Sequence, residues 1–65
     1  TNAVIHNNTI TNNDGDAIKA EVSYRIIITS NTIYGNHFGI NIEDTMSGAT
    51  VTIADNDNSD GCNWP

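Results

Sequence analysis

Two aspartates and a histidine are the residues whose types and spacing could support acid–base chemistry. Asp14 and Asp16 flank a glycine in the segment NNDGDAIKA, and His37 stands 23 positions after Asp14. Two neighbouring carboxyl groups can act as general acid and general base, and a nearby imidazole can shift their ionisation. The simpler interpretation is that NDGD is an ordinary turn, in which Asp and Asn cap backbone groups. The fold must decide whether these side chains meet.

A second group of residues is suited to binding a cation. Glu43 stands 22 positions after Glu21, and Asp44 follows Glu43 directly. Clustered carboxylate oxygens are the ligands that Ca²⁺ prefers, which makes calcium a candidate cofactor. Lys19 could relieve the repulsion between the two glutamates without a metal, so that alternative stays open.

Composition excludes several classes of partner. The 65-residue chain has a formal net charge of −6 and only two basic residues, Lys19 and Arg25. A phosphate-binding patch needs more positive charge than this, so we expect no nucleic-acid partner. No apolar run approaches the roughly 20 residues of a membrane span, so we expect no membrane partner. Cys62 is the sole cysteine and cannot form an internal disulfide.

The residue types also predict the secondary structure. Asparagine, isoleucine and threonine are the commonest residues, and leucine is absent. Isoleucine and threonine favour strands, whereas asparagine and glycine favour turns. The composition therefore predicts an all-β chain of short strands separated by many corners.

The sequence repeats itself with a period of 22 to 25 positions. Five residues of the first pass recur 23 positions later, namely Ile5, Asn8, Thr9, Ile10 and Asn13, which become Ile28, Asn31, Thr32, Ile33 and Asn36. Two more recur after 22 positions, Ile18 and Ala20, which become Ile40 and Ile42. A third pass begins 25 positions on with Ile53 and Asn56, and fails where Ile33 aligns with Asn58. The tail NSDGCNWP is expected to leave the repeat, with Trp64 covering apolar surface.

A period of this length, with three short strands in each repeat, is typical of a solenoid. The segment IIITSNTIYGNHFGINI resembles the parallel β-helix repeat of the pectate-lyase-like superfamily, and the resemblance extends from about residue 3 to residue 56. It implies a right-handed parallel β-helix with two to three coils. We expect coil 1 at about 3–25, coil 2 at about 26–50, and a partial third coil with its tail at 51–65.

Side-chain alternation along the strands predicts which residues form the core. The inward positions are Ile5, Ile10, Ile18 and Ala20 in coil 1, stacked on Ile28, Ile33, Ile40 and Ile42 in coil 2. The outward positions are His6, Thr9, Lys19, Thr29, Thr32 and Asn41. Asn8, Asn31 and Asn56 should stack at one corner and bond to each other's amides. Gly39 is expected to supply a permissive backbone before the third strand.

The family resemblance also implies a function. Enzymes of the superfamily bind polysaccharide across the outer face of one sheet, and the chain is weakly similar to the polygalacturonase-like glycoside hydrolases and to phage tailspikes. Asp16 before AIKA and His37 in NHFGI match that hydrolase pattern, although Gly15 and Phe38 depart from it. The resemblance implies catalytic roles for Asp14, Asp16 and His37. The predicted substrate-binding residues are Lys19, Tyr34 and Asn41.

Three functions therefore stay open: a polysaccharide hydrolase, lyase or epimerase, a non-catalytic carbohydrate-binding module, and a structural segment such as a trimeric tailspike shaft. The expected ligand is an acidic or complex polysaccharide, and the expected location is extracellular or on a virion surface. Because solenoids need about three repeats for stability, we also expect a protein partner. It would be either the remainder of a longer β-helix or further copies of the chain, for example in a trimer.

Overall fold

The computed structural model describes residues 2–21 and 24–64 and contains eight β-strands in that part of the chain. In chain order the strands are β1 (Asn2–His6), β2 (Thr9–Thr11), β3 (Asp16–Glu21), β4 (Arg25–Thr29), β5 (Thr32–Tyr34), β6 (Phe38–Glu43), β7 (Thr50–Ala54) and β8 (Asp57–Asn58). Within these residues no helix is long and apolar enough to cross a membrane.

The strands form three parallel sheets, with the orders β1-β4-β7, β2-β5-β8 and β3-β6. Each of the first two coils contributes one strand to each sheet, which is the architecture of a parallel β-helix. The pairing follows the sequence repeat: Ile5 lies beside Ile28 and Ile18 beside Ile40. The all-β fold and the register are therefore as the sequence predicts.

Stacked isoleucines form the core. Three of them, Ile28, Ile33 and Ile40, have no exposed surface, because a coil covers each on both sides. Ile5 and Ile10 occupy the equivalent inward positions in coil 1 but are only half-buried. β-Branched side chains fit this pleated surface well, since one stiff side chain packs flat on its copy in the next coil. The predicted inward residues all contribute to this core.

The predicted outward residues divide into two groups. His6, Thr9 and Lys19 are exposed, whereas Thr29, Thr32 and Asn41 in the central coil are half-buried. His6 shows why, since its Nδ1 lies 2.8 Å from the Thr29 hydroxyl in the next coil. Side chains of neighbouring coils therefore cover part of the outer surface of coil 2.

The predicted asparagine stack exists, and we call Asn8, Asn31 and Asn56 the first ladder. Asn31 Oδ1 accepts the backbone N–H of Asn8 at 2.9 Å, and Asn56 Oδ1 accepts that of Asn31 at the same distance. The Asn31 amide also donates to the Ile5 carbonyl at 3.1 Å. Asn31 is the one buried polar residue of the described chain, at 1% exposure. The ladder thus pairs backbone groups that would otherwise be buried without partners.

A second ladder, which the sequence analysis does not predict, consists of Asn13, Asn36 and Asp60. Asn36 Oδ1 accepts the backbone N–H of Asn13 at 3.1 Å, and Asp60 Oδ2 accepts that of Asn36 at 2.9 Å. The sequence shows the recurrence of Asn13 and Asn36. Asp60 does not appear in this recurrence, because a carboxylate takes the place of an amide in the third coil.

Each first-ladder residue follows a residue with left-handed backbone. Asn7, Ser30 and Asp55 have φ angles of 59°, 58° and 59°. A non-glycine residue with positive φ is uncommon, and Asn and Asp tolerate it best. The same corner is therefore built three times with nearly the same backbone, which keeps the coils in register.

The prediction that the tail leaves the repeat is wrong. Ile40 forms a parallel bridge with Cys62, and its backbone N–H bonds to the Gly61 carbonyl at 3.0 Å. Asn63 Oδ1 accepts the N–H of Ile42 at 2.7 Å, and Trp64 packs against the isoleucine core, as predicted. Backbone hydrogen bonds do not require matching side chains, so the third coil continues where the sequence repeat fails.

The prediction that Gly39 supplies a permissive backbone before the third strand is also wrong. Gly39 lies within β6 and is not among the glycines with positive φ. A Cβ at this position would instead collide with the Gly61 carbonyl and the Asn58 side chain. The glycine is needed because the third coil passes directly against it.

Replacing Asn31 with alanine tests the first ladder. We expect the free energy of unfolding to fall by about 2–4 kcal/mol, since buried groups left unpaired cost about 1–3 kcal/mol each. Asn8→Ala, at the exposed end of the same ladder, is the matched control and should cost about 1 kcal/mol. Urea unfolding followed by circular dichroism measures both. Equal losses would show that burial of the ladder does not matter.

Replacing Gly39 with alanine tests the close approach of the third coil. Overpacking of this kind typically costs about 1–3 kcal/mol, and we expect a loss in that range. Gly15→Ala is the control, because a Cβ there meets nothing within 4 Å and should change stability by no more than about 0.5 kcal/mol. Thermal unfolding of the two variants gives the comparison. A Gly39→Ala protein as stable as the control would contradict the packing.

Candidate functional site

Polar side chains collect on the outside of the sheet formed by β3 and β6. Strand alternation turns Ile18 and Ala20 inward, so Lys19 and Glu21 point outward between them. The paired positions in coil 2 are Asn41 and Glu43. We call this surface the β3–β6 face and define it as Asp16, Lys19, Glu21, Asn41, Glu43 and the adjoining Asn63.

Asn41 is the centre of the β3–β6 face. Its Nδ2 donates to Asp16 Oδ2 at 3.0 Å and to Glu43 Oε1 at 3.2 Å, so one amide group bridges two carboxylates. Its Oδ1 accepts a hydrogen bond from Asn63 Nδ2 in the third coil. These bonds join Asp16, Asn41, Glu43 and Asn63 into one hydrogen-bond network that spans three coils.

Lys19 supplies the positive charge of the β3–β6 face. Its Nζ lies 3.1 Å from Glu21 Oε1, and both side chains are half-exposed. The hydrogen bond and charge of Glu21, followed by the charge of Glu43, raise the pKa of Lys19 above its ordinary value. Three carboxylates and one ammonium leave the face with a net negative charge.

The structure places the three predicted catalytic residues near one another without joining their side chains. The His37 backbone N–H contacts the carbonyls of Asn13 and Gly15, both at 3.1 Å, on either side of Asp14. Among the described residues, no hydrogen bond or ion pair links the side chains of Asp14, Asp16 and His37. Asp16 instead bonds to Asn41, and the side chains of Asp14 and His37 are exposed. Their catalytic roles stay predictions.

The predicted metal ligands come together only in part. Glu21 and Glu43 are paired neighbours in the sheet, as their spacing indicates. Asp44 follows at the strand end with a φ of 51°. Within residues 2–21 and 24–64, no three His, Cys, Asp or Glu residues form a group that could hold a metal ion. Lys19 makes the ion pair with Glu21 that the metal-free alternative requires.

Tyr34, the third predicted substrate-binding residue, lies on a different surface from Lys19 and Asn41. It ends β5 beside Thr11, and half of its surface is exposed. The turn through Asn36 and His37 separates it from the start of β6 at Phe38. Tyr34 therefore belongs to the neighbouring sheet and is not part of the β3–β6 face.

Sequence reasoning missed Asn63 and the bridge that Asn41 forms. The sequence predicts Glu43 only as a metal ligand, without the amide partner that it shares with Asp16. Register alone places Asp16 beside Phe38, so no spacing signal shows that Asn41 reaches it. Asn63 stands 22 positions after Asn41, which is the period of this sheet, and that spacing is the signal that could have found it.

Comparison with known proteins decides the family. A family model described as a right handed beta helix region matches residues 1–63. The chain belongs to this right-handed β-helix family. The match agrees with the parallel sheets and is compatible with the pectate-lyase-like superfamily without singling it out. No curated protein and no solved structure matches the chain.

The ion pair on this β-helix gives a prediction for the Lys19 pKa. Glu21→Gln should lower it, because Glu21 is the largest cause of the increase. Glu43→Gln is the matched control and should lower it less, since Glu43 contributes charge without a hydrogen bond. An NMR titration of the Lys19 side-chain resonances measures both shifts. A larger change in the Glu43 variant would contradict the assigned pairing.

Proposed function

We propose that this β-helix binds polysaccharide along the β3–β6 face. One observation carries the proposal, namely the network that Asn41 forms with Asp16, Glu43 and Asn63 across three successive coils. Amides and carboxylates held in this way are suitable partners for sugar hydroxyl groups, which both donate and accept hydrogen bonds. Neighbouring coils are about 4.8 Å apart, so a linear sugar chain can contact several of them.

The charge of the face favours one class of polysaccharide. Asp16, Glu21 and Glu43 outnumber Lys19, and the whole chain has a net charge of −6. An acidic polysaccharide would meet like charges, which repel at short range. We therefore favour an uncharged complex polysaccharide over the acidic one, and propose an extracellular or virion-surface location, where such polymers are found.

Catalysis is the second candidate, and the Asn41 bridge is the observation that favours it. Asp16 and Glu43 both bond to Asn41 Nδ2, so their bonded oxygens can be no further apart than the two bond lengths together. Glycosidases use two carboxyl groups separated by roughly 5–9.5 Å, depending on the stereochemical course. Of the three predicted catalytic residues, Asp16 is thus the one that has a second carboxylate, that of Glu43, held close to it. A structural role without sugar binding is the remaining alternative.

Binding can be tested with a glycan array followed by calorimetry on the best ligand. Asn41→Ala should weaken binding by about fivefold, because a lost hydrogen bond is worth about 0.5–1.5 kcal/mol. Thr52→Ala is the control, since Thr52 is exposed on β7, in a different sheet. Equal affinity of the two variants would place the ligand elsewhere, and no binding to any glycan would favour the structural role.

The same ligands distinguish binding from catalysis. Chromatography of each polysaccharide after incubation shows whether it has been shortened. If it has, Asp16→Asn should abolish product formation while the sugar still binds. Intact polysaccharide with measurable affinity would assign the chain to the non-catalytic class.

A further inference from the structure

The chain contains two Asp–Gly pairs, Asp14–Gly15 and Asp60–Gly61, and both lie outside the eight strands. An aspartyl side chain reacts with its own main chain most readily when glycine follows it, because glycine has no side chain to hinder its backbone nitrogen. The dipeptide is the same at both positions. Any difference in reactivity between the two pairs must therefore come from their surroundings.

The Asp14 side chain has room to move. Asp14 and Gly15 are both exposed, and the Asp14 carboxylate accepts no hydrogen bond from any residue that the structure describes. The backbone N–H of Gly15 likewise has no acceptor among the described residues. A Cβ at Gly15 would meet nothing within 4 Å, so the space beside its backbone is open. The Asp14 side chain can therefore turn its Cγ toward the Gly15 nitrogen.

The Asp60–Gly61 pair is held at both residues. Asp60 is half-buried, and its Oδ2 accepts the backbone N–H and the Nδ2 of Asn36, each at 2.9 Å. The Gly61 carbonyl accepts the backbone N–H of Ile40 at 3.0 Å and Asn58 Nδ2 at 2.8 Å. The Asp60 Cγ can turn toward the Gly61 nitrogen only after the bonds to Asn36 break.

We propose that Asp14 is a site of spontaneous isoaspartate formation in the folded protein, and that the second ladder protects Asp60 from the same reaction. The Gly15 nitrogen attacks Cγ of the protonated Asp14 carboxyl group. A C–N bond forms and the Cγ–OH bond breaks, and the hydroxyl leaves with the proton of the nitrogen as one water molecule. The product is a five-membered succinimide ring.

Hydrolysis of the ring completes the reaction. One water molecule adds to either ring carbonyl: opening at Cγ restores aspartate, whereas opening at the backbone carbonyl carbon leaves isoaspartate. The water that is lost in the first step is regained in the second, so the mass of the chain is unchanged. Water is the only co-reactant.

Isoaspartate changes the corner that precedes β3. It routes the main chain through Cβ and Cγ of residue 14, which adds one carbon atom to the backbone and leaves the α-carboxylate as the side group. The carbonyls of Asn13 and Gly15, on either side of this residue, share the His37 backbone N–H in the next coil. The longer segment moves these carbonyls apart, so the modification weakens a contact between coils 1 and 2.

Both pairs can be followed in one sample of the intact protein. Lys19 and Arg25 are the only basic residues, so trypsin separates Asp14, in residues 1–19, from Asp60, in residues 26–65. The protein is kept for weeks at physiological pH and temperature and then digested. Electron-transfer dissociation mass spectrometry identifies isoaspartate by fragment ions that only the isopeptide gives. The same incubation in urea is the control, because there only the local sequence acts.

In the folded chain we expect isoaspartate to form at least about tenfold faster at residue 14 than at residue 60, because two hydrogen bonds of ordinary strength are worth at least this factor. In urea the two rates should be similar. Gly15→Ala should slow the reaction at residue 14 and leave residue 60 unchanged, since the added methyl group hinders the nitrogen. Equal rates at the two pairs in the folded chain would overturn the proposal, as would an Asp14 that isomerises only in urea.

Discussion

The structure depends on in-register stacking of successive coils, and the first ladder is the interaction that fixes the register. A β-sheet can slip by one residue and reverse the side chains that face the core. A buried amide that bonds to the same corner in the next coil prevents the slip, because any other register leaves Asn31 unpaired in an apolar interior. The stacked isoleucines supply the buried apolar surface, and the first ladder determines which isoleucine lies on which.

The stacking also explains where function can reside. Most inward strand positions are occupied by isoleucine. The corner positions are occupied by asparagine or by residues with left-handed backbone. Only outward strand positions can vary without disturbing the coil. The β3–β6 face uses this freedom: Lys19 and Asn41 are paired outward neighbours, and Asn41 bonds to Asp16 in coil 1 and to Asn63 in coil 3. The same period that builds the core therefore brings functional groups from distant parts of the sequence to one surface.

The fold can be predicted from the sequence because its determinants repeat. Ile5 and Asn8 have near-copies at fixed spacing, and the copies can be aligned by eye. Beyond Asn58 the isoleucine pattern no longer predicts the third coil, since its pairing there relies on backbone groups and on Asp60. Asn63, 22 positions after Asn41, does keep the repeat spacing. The role of Gly39 cannot be predicted for a related reason, because the need for glycine arises from backbone in the next coil.

The β3–β6 face can be predicted only in part. Register shows that Glu21 and Glu43 are neighbours, and alternation shows that Lys19 and Asn41 point outward. The bridge from Asn41 to Asp16 runs diagonally across the sheet and depends on side-chain rotamers, which spacing does not encode. Chemistry at this face therefore rests on contacts that a repeat pattern cannot reveal.

Inter-coil nuclear Overhauser effects of the isotope-labelled chain are the most direct test of the account. Cross-peaks should connect Asn8 with Asn31 and Asn31 with Asn56, and the methyl groups of Ile5 with those of Ile28. Contacts between residues one repeat apart, at all three positions, belong to a parallel coil with a ladder at its corner. Cross-peaks between strands adjacent in sequence, as in antiparallel hairpins, would contradict both the ladder and the fold built on it.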